Sequence, residues 1–104
     1  MTQSEINRRM LPWGDAEFRR FFFRTGLFQR RGWTEQKAEF TSDRLALRDQ
    51  EHDDRRMCIE CSHLQRSLTC FVAANGRMPN TARHHQPVQD ILQRCEFFSW
   101  QKPN

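Results

Sequence analysis

The chain has 104 residues and a formal net charge of +4, with 15 Arg among its 17 basic side chains. Leu, Ile, Val and Phe total 21 and the mean hydropathy is −0.92, close to the composition at which burial alone stops supporting a fold. A core this lean calls for a metal, disulfides or a partner, and the values exclude both a multidomain enzyme and a membrane protein, since no apolar run approaches the ~20 residues of a span.

A single small domain over 1–104 is therefore expected, mainly α, with a helical hairpin in 14–50 and a zinc-binding part in 57–100. Its charges are blocked. Residues 8–31 carry seven Arg against two acids, 35–54 carry seven acids against three bases, and the rest is basic again. No apolar targeting stretch follows the polar first residues, so a cytoplasmic protein with reduced thiols is expected.

The first helix is entered through Leu11-Pro12-Trp13-Gly14, with Asp15 as N-cap and Glu17 favourable in the first turn. Phe18, Phe21, Phe22, Thr25 and Phe28 repeat at i, i+3, i+4 and i+7, the spacing of a core-facing stripe. Phe23 and Leu27 lie off that stripe, where they either extend the core or form an exposed protein-contact patch. Arg20, Arg24 and Arg31 share another stripe, within about 40° of one another at 3.6 residues per turn. Gly26 weakens the helix interior and Gly32 ends it as the C′ residue.

Thr34 is the expected N-cap of a second helix running to about Arg48 or Asp49, with Ala38, Thr41 and Leu45 on its apolar side. The short Arg31-Gly32-Trp33 turn predicts that the two helices pack as a hairpin or corner. Asp53-Asp54-Arg55-Arg56 reads as a solvated, self-pairing charge cluster. Leu68 to Val72 has some strand character, and Asn75-Gly76 signals a turn. Pro87 suits position N1 of a last short helix, in which Val88, Ile91, Leu92 and Cys95 repeat the helical spacing and turn Cys95 inward. Phe97, Phe98 and Trp100 then supply aromatic mass to pack back on the core.

The chemistry lies in Cys58-x2-Cys61, followed by Cys70 and Cys95. A two-residue gap lets two thiolates grip one ion from a tight knuckle, and tetrahedral zinc takes four such ligands. A structural zinc on Cys58, Cys61, Cys70 and Cys95 uses every cysteine and leaves none over. Two disulfides, an iron–sulfur cluster, or His63 in place of one cysteine are the competing assignments. Four thiolates leave no open coordination position, which argues against metal catalysis. No phosphate-cradling glycine motif and no nucleophilic triad pattern occurs, so neither an enzyme nor a small-molecule substrate is expected.

The stretch 28–70 carries Phe28-x2-Arg31-Gly32-Trp33, Ala38-Glu39, Asp43-Arg44-Leu45, Arg48-Asp49, Asp53-Asp54-Arg55-Arg56 and Cys58-x2-Cys61, with Arg94-Cys95 further on. This pattern resembles small four-cysteine, zinc-binding proteins carried by proteobacterial plasmids, prophages and integrative elements. The resemblance implies a mobile-element setting and transfers no functional residue beyond the four cysteines.

Two functions follow as expectations. One is a non-enzymatic nucleic-acid-binding accessory protein that contacts phosphates through Arg20, Arg24 and Arg31 and through Arg55, Arg56 and Arg66 around the knuckle. The other is a small adaptor or inhibitor that docks on a larger protein complex through Phe23 and Leu27 and its segregated charge. If the helix arginines instead pair internally, Glu35, Glu39 or Asp43 of the second helix are their expected partners. The spacing leaves the oligomeric state open.

Overall fold

A computed structural model describes residues 13–101. The chain divides into two compact units, Met1–Asp53 and Asp54–Asn104. Among the described residues the regular structure is helical, and β pairing is confined to isolated bridges.

In the first unit α1 spans Asp15–Arg30 and α2 spans Glu35–Gln50. Gly14, not Asp15, is the N-cap of α1, which moves Asp15 and Glu17 into the first turn, where their charge still suits the helix dipole. Leu11 and Pro12 of the expected entry turn lie outside the described residues. Thr34 caps α2 as expected, its hydroxyl accepting from the Lys37 N–H at 3.2 Å.

The turn between the helices is a Schellman motif. The Trp33 N–H reaches the Phe28 carbonyl at 3.1 Å and the Gly32 N–H reaches Gln29 at 3.0 Å, with Gly32 at φ +98°. The accompanying apolar contact is present too, since the Phe28 and Trp33 rings lie 5.3 Å apart. The end of α2 repeats the pattern, Asp53 N–H to Arg48 and His52 N–H to Asp49, with His52 at φ 56° where a glycine would be easier. The short α3, Phe71–Ala74, ends in the same way at Gly76.

The hairpin core is Leu27, Phe28, Ala38, Thr41, Ser42 and Leu45, with Phe28 and Leu45 wholly buried. This differs from the stripe expected for α1. Phe18 and Phe22 are 48% and 67% exposed, whereas Leu27 is buried and Phe23 half-buried. The face of α1 that meets α2 is Arg24, Thr25, Leu27 and Phe28. Polar pairs account for the rotation: the Thr25 hydroxyl donates to Ser42 at 3.0 Å inside the hairpin, and Arg24 reaches Asp49. Leu27 is thus core and not a contact patch, while Phe18 and Phe22, expected in the core, face solvent.

The second unit is built of turns. A 3-10 turn at Cys58–Glu60 opens it, with Met57, Ile59, Glu60, Cys61, Leu64, Val72 and Ala73 buried. Three antiparallel bridges, Arg56 to Gln93, Cys61 to Trp100 and Leu64 to Cys70, hold the segments together. The strand expected over 68–72 does not form; Leu68 takes φ 67° in a tight turn and α3 begins at Phe71.

The C-terminal helix expected over 87–95 is also absent. Gln93 exchanges both backbone hydrogen bonds with Arg56 at 2.8 Å, and the Gln89 carbonyl accepts from Ile59 at 3.1 Å, so the groups a helix would pair internally are used across the chain. Val88 and Ile91, meant for its buried face, are exposed. Phe98 and Trp100 meet edge to face at 4.9 Å.

Two glycine substitutions should move stability in opposite directions. At Gly32 a Cβ meets nothing within 4 Å, so Gly32→Ala pays only for the left-handed backbone, about 1–2 kcal/mol of destabilisation. At Gly26 the nearest atom is the flexible Arg30 guanidinium end at 3.2 Å, so Gly26→Ala should stabilise by up to about 1 kcal/mol through helix propensity. Urea unfolding followed at a helical CD wavelength measures both.

Candidate functional site

The cysteines come from three segments of the second unit. Cys58 opens the 3-10 turn and Cys61 follows it, its N–H returning to the Cys58 carbonyl at 3.0 Å. Cys70 closes the Leu64 bridge and stands at the N-cap of α3. Cys95 lies two residues beyond the Arg56–Gln93 bridge and opens a turn, its carbonyl accepting from the Phe98 N–H at 3.1 Å.

All four line one cavity of about 90 Å³, together with His63 and His85. All four are free thiols, Cys61 buried and the other three half-buried. Among the described residues, no three His, Cys, Asp or Glu side chains stand close enough to hold a metal ion as they are. The thiols border a common space and do not form a ready-made tetrahedron.

Two sulfurs already receive hydrogen bonds. The His63 backbone N–H points at Cys61 Sγ at 3.4 Å, and Gln93 Nε2 donates to Cys58 Sγ at 3.0 Å. Burial first, then the neighbouring Cys61 and Cys95 and more weakly Cys70, push the Cys58 thiol up to about 11 against the opposing hydrogen bond of Gln93. A divalent cation between the sulfurs would reverse the local electrostatics and favour the thiolate. A set of four soft sulfur donors with N–H groups aimed at two of them fits zinc chemically. His63 stacks its ring on Phe71, centroids 6.2 Å apart, and His85 offers its carbonyl to the Cys70 N–H at 3.2 Å.

The arginine stripe of α1 is divided between the interior and the surface. Arg24 is 6% exposed, and its guanidinium holds Asp49 Oδ2 at 2.7 Å. Arg20 reaches the same oxygen at 3.3 Å from an exposed position, and the buried Arg48 holds Oδ1 at 2.9 Å. Arg31 is half-buried. Arg24 is therefore withdrawn from the phosphate-contacting surface expected of it. The acid it reaches, Asp49, stands in the last turn of α2 and is not among the expected partners Glu35, Glu39 and Asp43.

Asp49 is not among the site residues or pairing partners expected from the sequence, although a signal existed. An acid in the last turn of a helix opposes the helix dipole, so a tertiary partner had to be sought. Burial raises the Asp49 carboxyl, but the charge and hydrogen bond of Arg24, then those of Arg48, outweigh it and leave the group below its ordinary value of 3.8.

Around the knuckle, Arg55 and Arg66 are exposed and Arg56 is half-buried, its guanidinium 4.7 Å from the Trp100 ring centre. Arg94 and Asp54 pair at 2.8 Å with both side chains 69% exposed, a contact worth at most about 1 kcal/mol. Gln93 had no signal in the sequence: an amide side chain two positions before a cysteine is unremarkable until the fold brings it to another sulfur.

No protein family, curated protein or solved structure matches the chain. Among the described residues, no helix is long and apolar enough to cross a membrane.

Asp49→Asn should cost about 2–3 kcal/mol, less than the about 3–5 kcal/mol of a wholly buried pair, because the Asp49 side chain keeps 22% of its exposure. The depressed acidity sets the pH window. The contribution is complete above 3.8 and is lost as the pH falls through the lower folded value. The stability difference between wild type and Asp49→Asn, measured by urea unfolding at a series of pH values, should shrink below pH 3.8.

Proposed function

We propose that the chain is a non-enzymatic, zinc-stabilised nucleic-acid-binding accessory protein of a mobile genetic element, working in the cytoplasm. The zinc is structural and is held by Cys58, Cys61, Cys70 and Cys95. Their shared cavity and the N–H donors on two sulfurs support this ligand set. Four sulfur ligands close the coordination sphere, so the ion supplies folding energy and not catalysis. The mobile-element setting rests on the resemblance of the 28–70 pattern.

The observation that carries the nucleic-acid reading is the surface of α1. Phe18 and Phe22 stand one turn apart and exposed, flanked by the exposed Arg19. Exposed aromatic rings flanked by an arginine offer a stacking platform for unpaired bases with a cation for the phosphates. The binding surface is thereby moved from the Arg20, Arg24 and Arg31 stripe to the face of Phe18 and Phe22, which lies across the helix from it. Arg55 and Arg66 offer further phosphate contacts from the second unit.

The second reading, an adaptor docking on a larger protein complex, is favoured by the continuity of the same rings. Trp13 meets Phe18 at 5.2 Å and Phe21 at 5.6 Å, and Phe21 meets Phe22 at 5.5 Å. Such a cluster also fits an apolar pocket on a partner.

Fluorescence anisotropy with labelled single-stranded and duplex DNA, from ~50 to ~200 mM salt, separates the two. Single strands should bind more tightly. Phe18→Ala with Phe22→Ala should weaken them by about 1–3 kcal/mol per lost stack and leave the salt slope unchanged. Arg19→Ala should reduce that slope by about 0.7. Absence of binding at the lowest salt rejects the nucleic-acid reading and leaves the adaptor. For the metal, native mass spectrometry should show one zinc per chain, and Cys61→Ser should remove both the zinc and the cooperative unfolding of the second unit.

A further inference from the structure

We infer that Gln93 is a positioning residue of the metal centre, holding the Cys58 sulfur as a ligand through its side-chain amide and tying the Cys95 segment to the knuckle through its backbone. The inference rests on the zinc reading of the four cysteines.

Three hydrogen bonds carry it. The side-chain amide donates to Cys58 Sγ at 3.0 Å. The Gln93 N–H donates to the Arg56 carbonyl and the Arg56 N–H donates back, both at 2.8 Å. One residue thus grips the knuckle at two points, the backbone two positions before Cys58 and the Cys58 sulfur itself. Gln93 lies two positions before Cys95, so the same grip sets where the most distant cysteine enters the site. The Ile59 N–H to Gln89 carbonyl bond, 3.1 Å, reinforces the alignment. Cys61 has its own donor in the His63 N–H, which gives each knuckle sulfur one N–H group.

Four thiolates on one divalent cation carry a surplus of negative charge. Each N–H donor draws some of that charge off its sulfur. This keeps the sulfur bound to the metal and lowers its reactivity toward electrophiles. Outer groups of this kind change metal affinity by about 10- to 100-fold when removed. Gln93 is exposed, which puts the expected loss at the lower end, about tenfold. A donor hydrogen bond also holds the sulfur lone pairs at lower energy, so removing it should shift sulfur-to-metal charge transfer to lower energy.

The test is Co²⁺ titration of the full-length chain with a competing chelator, for wild type, Gln93→Leu and Gln93→Glu. Gln93→Leu removes the amide and preserves the backbone pair with Arg56. It should keep one tetrahedral Co²⁺, raise the dissociation constant about tenfold and move the charge-transfer band to lower energy. Iodoacetamide should then modify Cys58 faster than the other cysteines, as read by peptide mass spectrometry. Gln93→Glu is nearly isosteric and sets an acceptor against the thiolate, so it should weaken binding further at neutral pH. Should Gln93→Leu fail to fold, the Gln93→Glu affinity and band position decide. A purely structural Gln93 would change the unfolding midpoint and leave the band where it is. Unchanged affinity and band position in folded variants overturn the Gln93 assignment alone. A wild-type chain that shows no sulfur-to-cobalt charge transfer overturns the zinc reading and this inference together.

Discussion

The Asp49 carboxylate receives Arg24 on one oxygen at 2.7 Å and Arg48 on the other at 2.9 Å, both from buried positions. Removing that carboxylate would weaken the hairpin, because breaking a buried ion pair costs more than the pair itself returns. The ion cluster decides which side of α1 faces inward. Once Arg24 must reach Asp49, Thr25, Leu27 and Phe28 are turned toward α2, and Phe18 and Phe22 are turned out. The exposed aromatic surface is in this sense a consequence of the buried charge.

In the proposed reading sulfur has the corresponding part in the second unit. Among the described residues its buried apolar side chains are few, its regular structure amounts to one 3-10 turn and one short helix, and its β pairing is a set of single bridges. Local hydrogen bonds of this sort do not sustain a fold of about 50 residues without a staple. The four cysteines bordering one cavity are the groups able to provide it. Both halves thus meet the same shortage of apolar side chains by different chemistry, a salt cluster in one and a proposed metal centre in the other.

The proposed function follows from where these two solutions leave the surface. Arginines that looked equivalent along α1 separate into the buried Arg24 and the exposed Arg20. Rings assigned to the core, Phe18 and Phe22, are exposed. An account of binding that treated every arginine of the stripe alike would mutate Arg24 and measure unfolding.

The sequence by itself determined the local features. The hairpin, the Thr34 cap and the Gly32 stop were all legible, because each depends on residues within one or two turns of one another. Gly32 ends α1 wherever that helix packs, since few other residues accept its backbone angle. Tertiary structure alone decided the rest. The register of α1 depended on Arg24 finding Asp49, 25 residues away, and apolar periodicity does not weigh a buried ion cluster. The 87–95 segment has a good helical pattern, yet its backbone is drawn to Arg56 and Ile59, because cross-chain hydrogen bonds were available to it there. Gln93 acquired its sulfur contact by the same route, across 35 residues. Contacts at that range depend on how whole segments meet, and the pattern within any one segment does not record them.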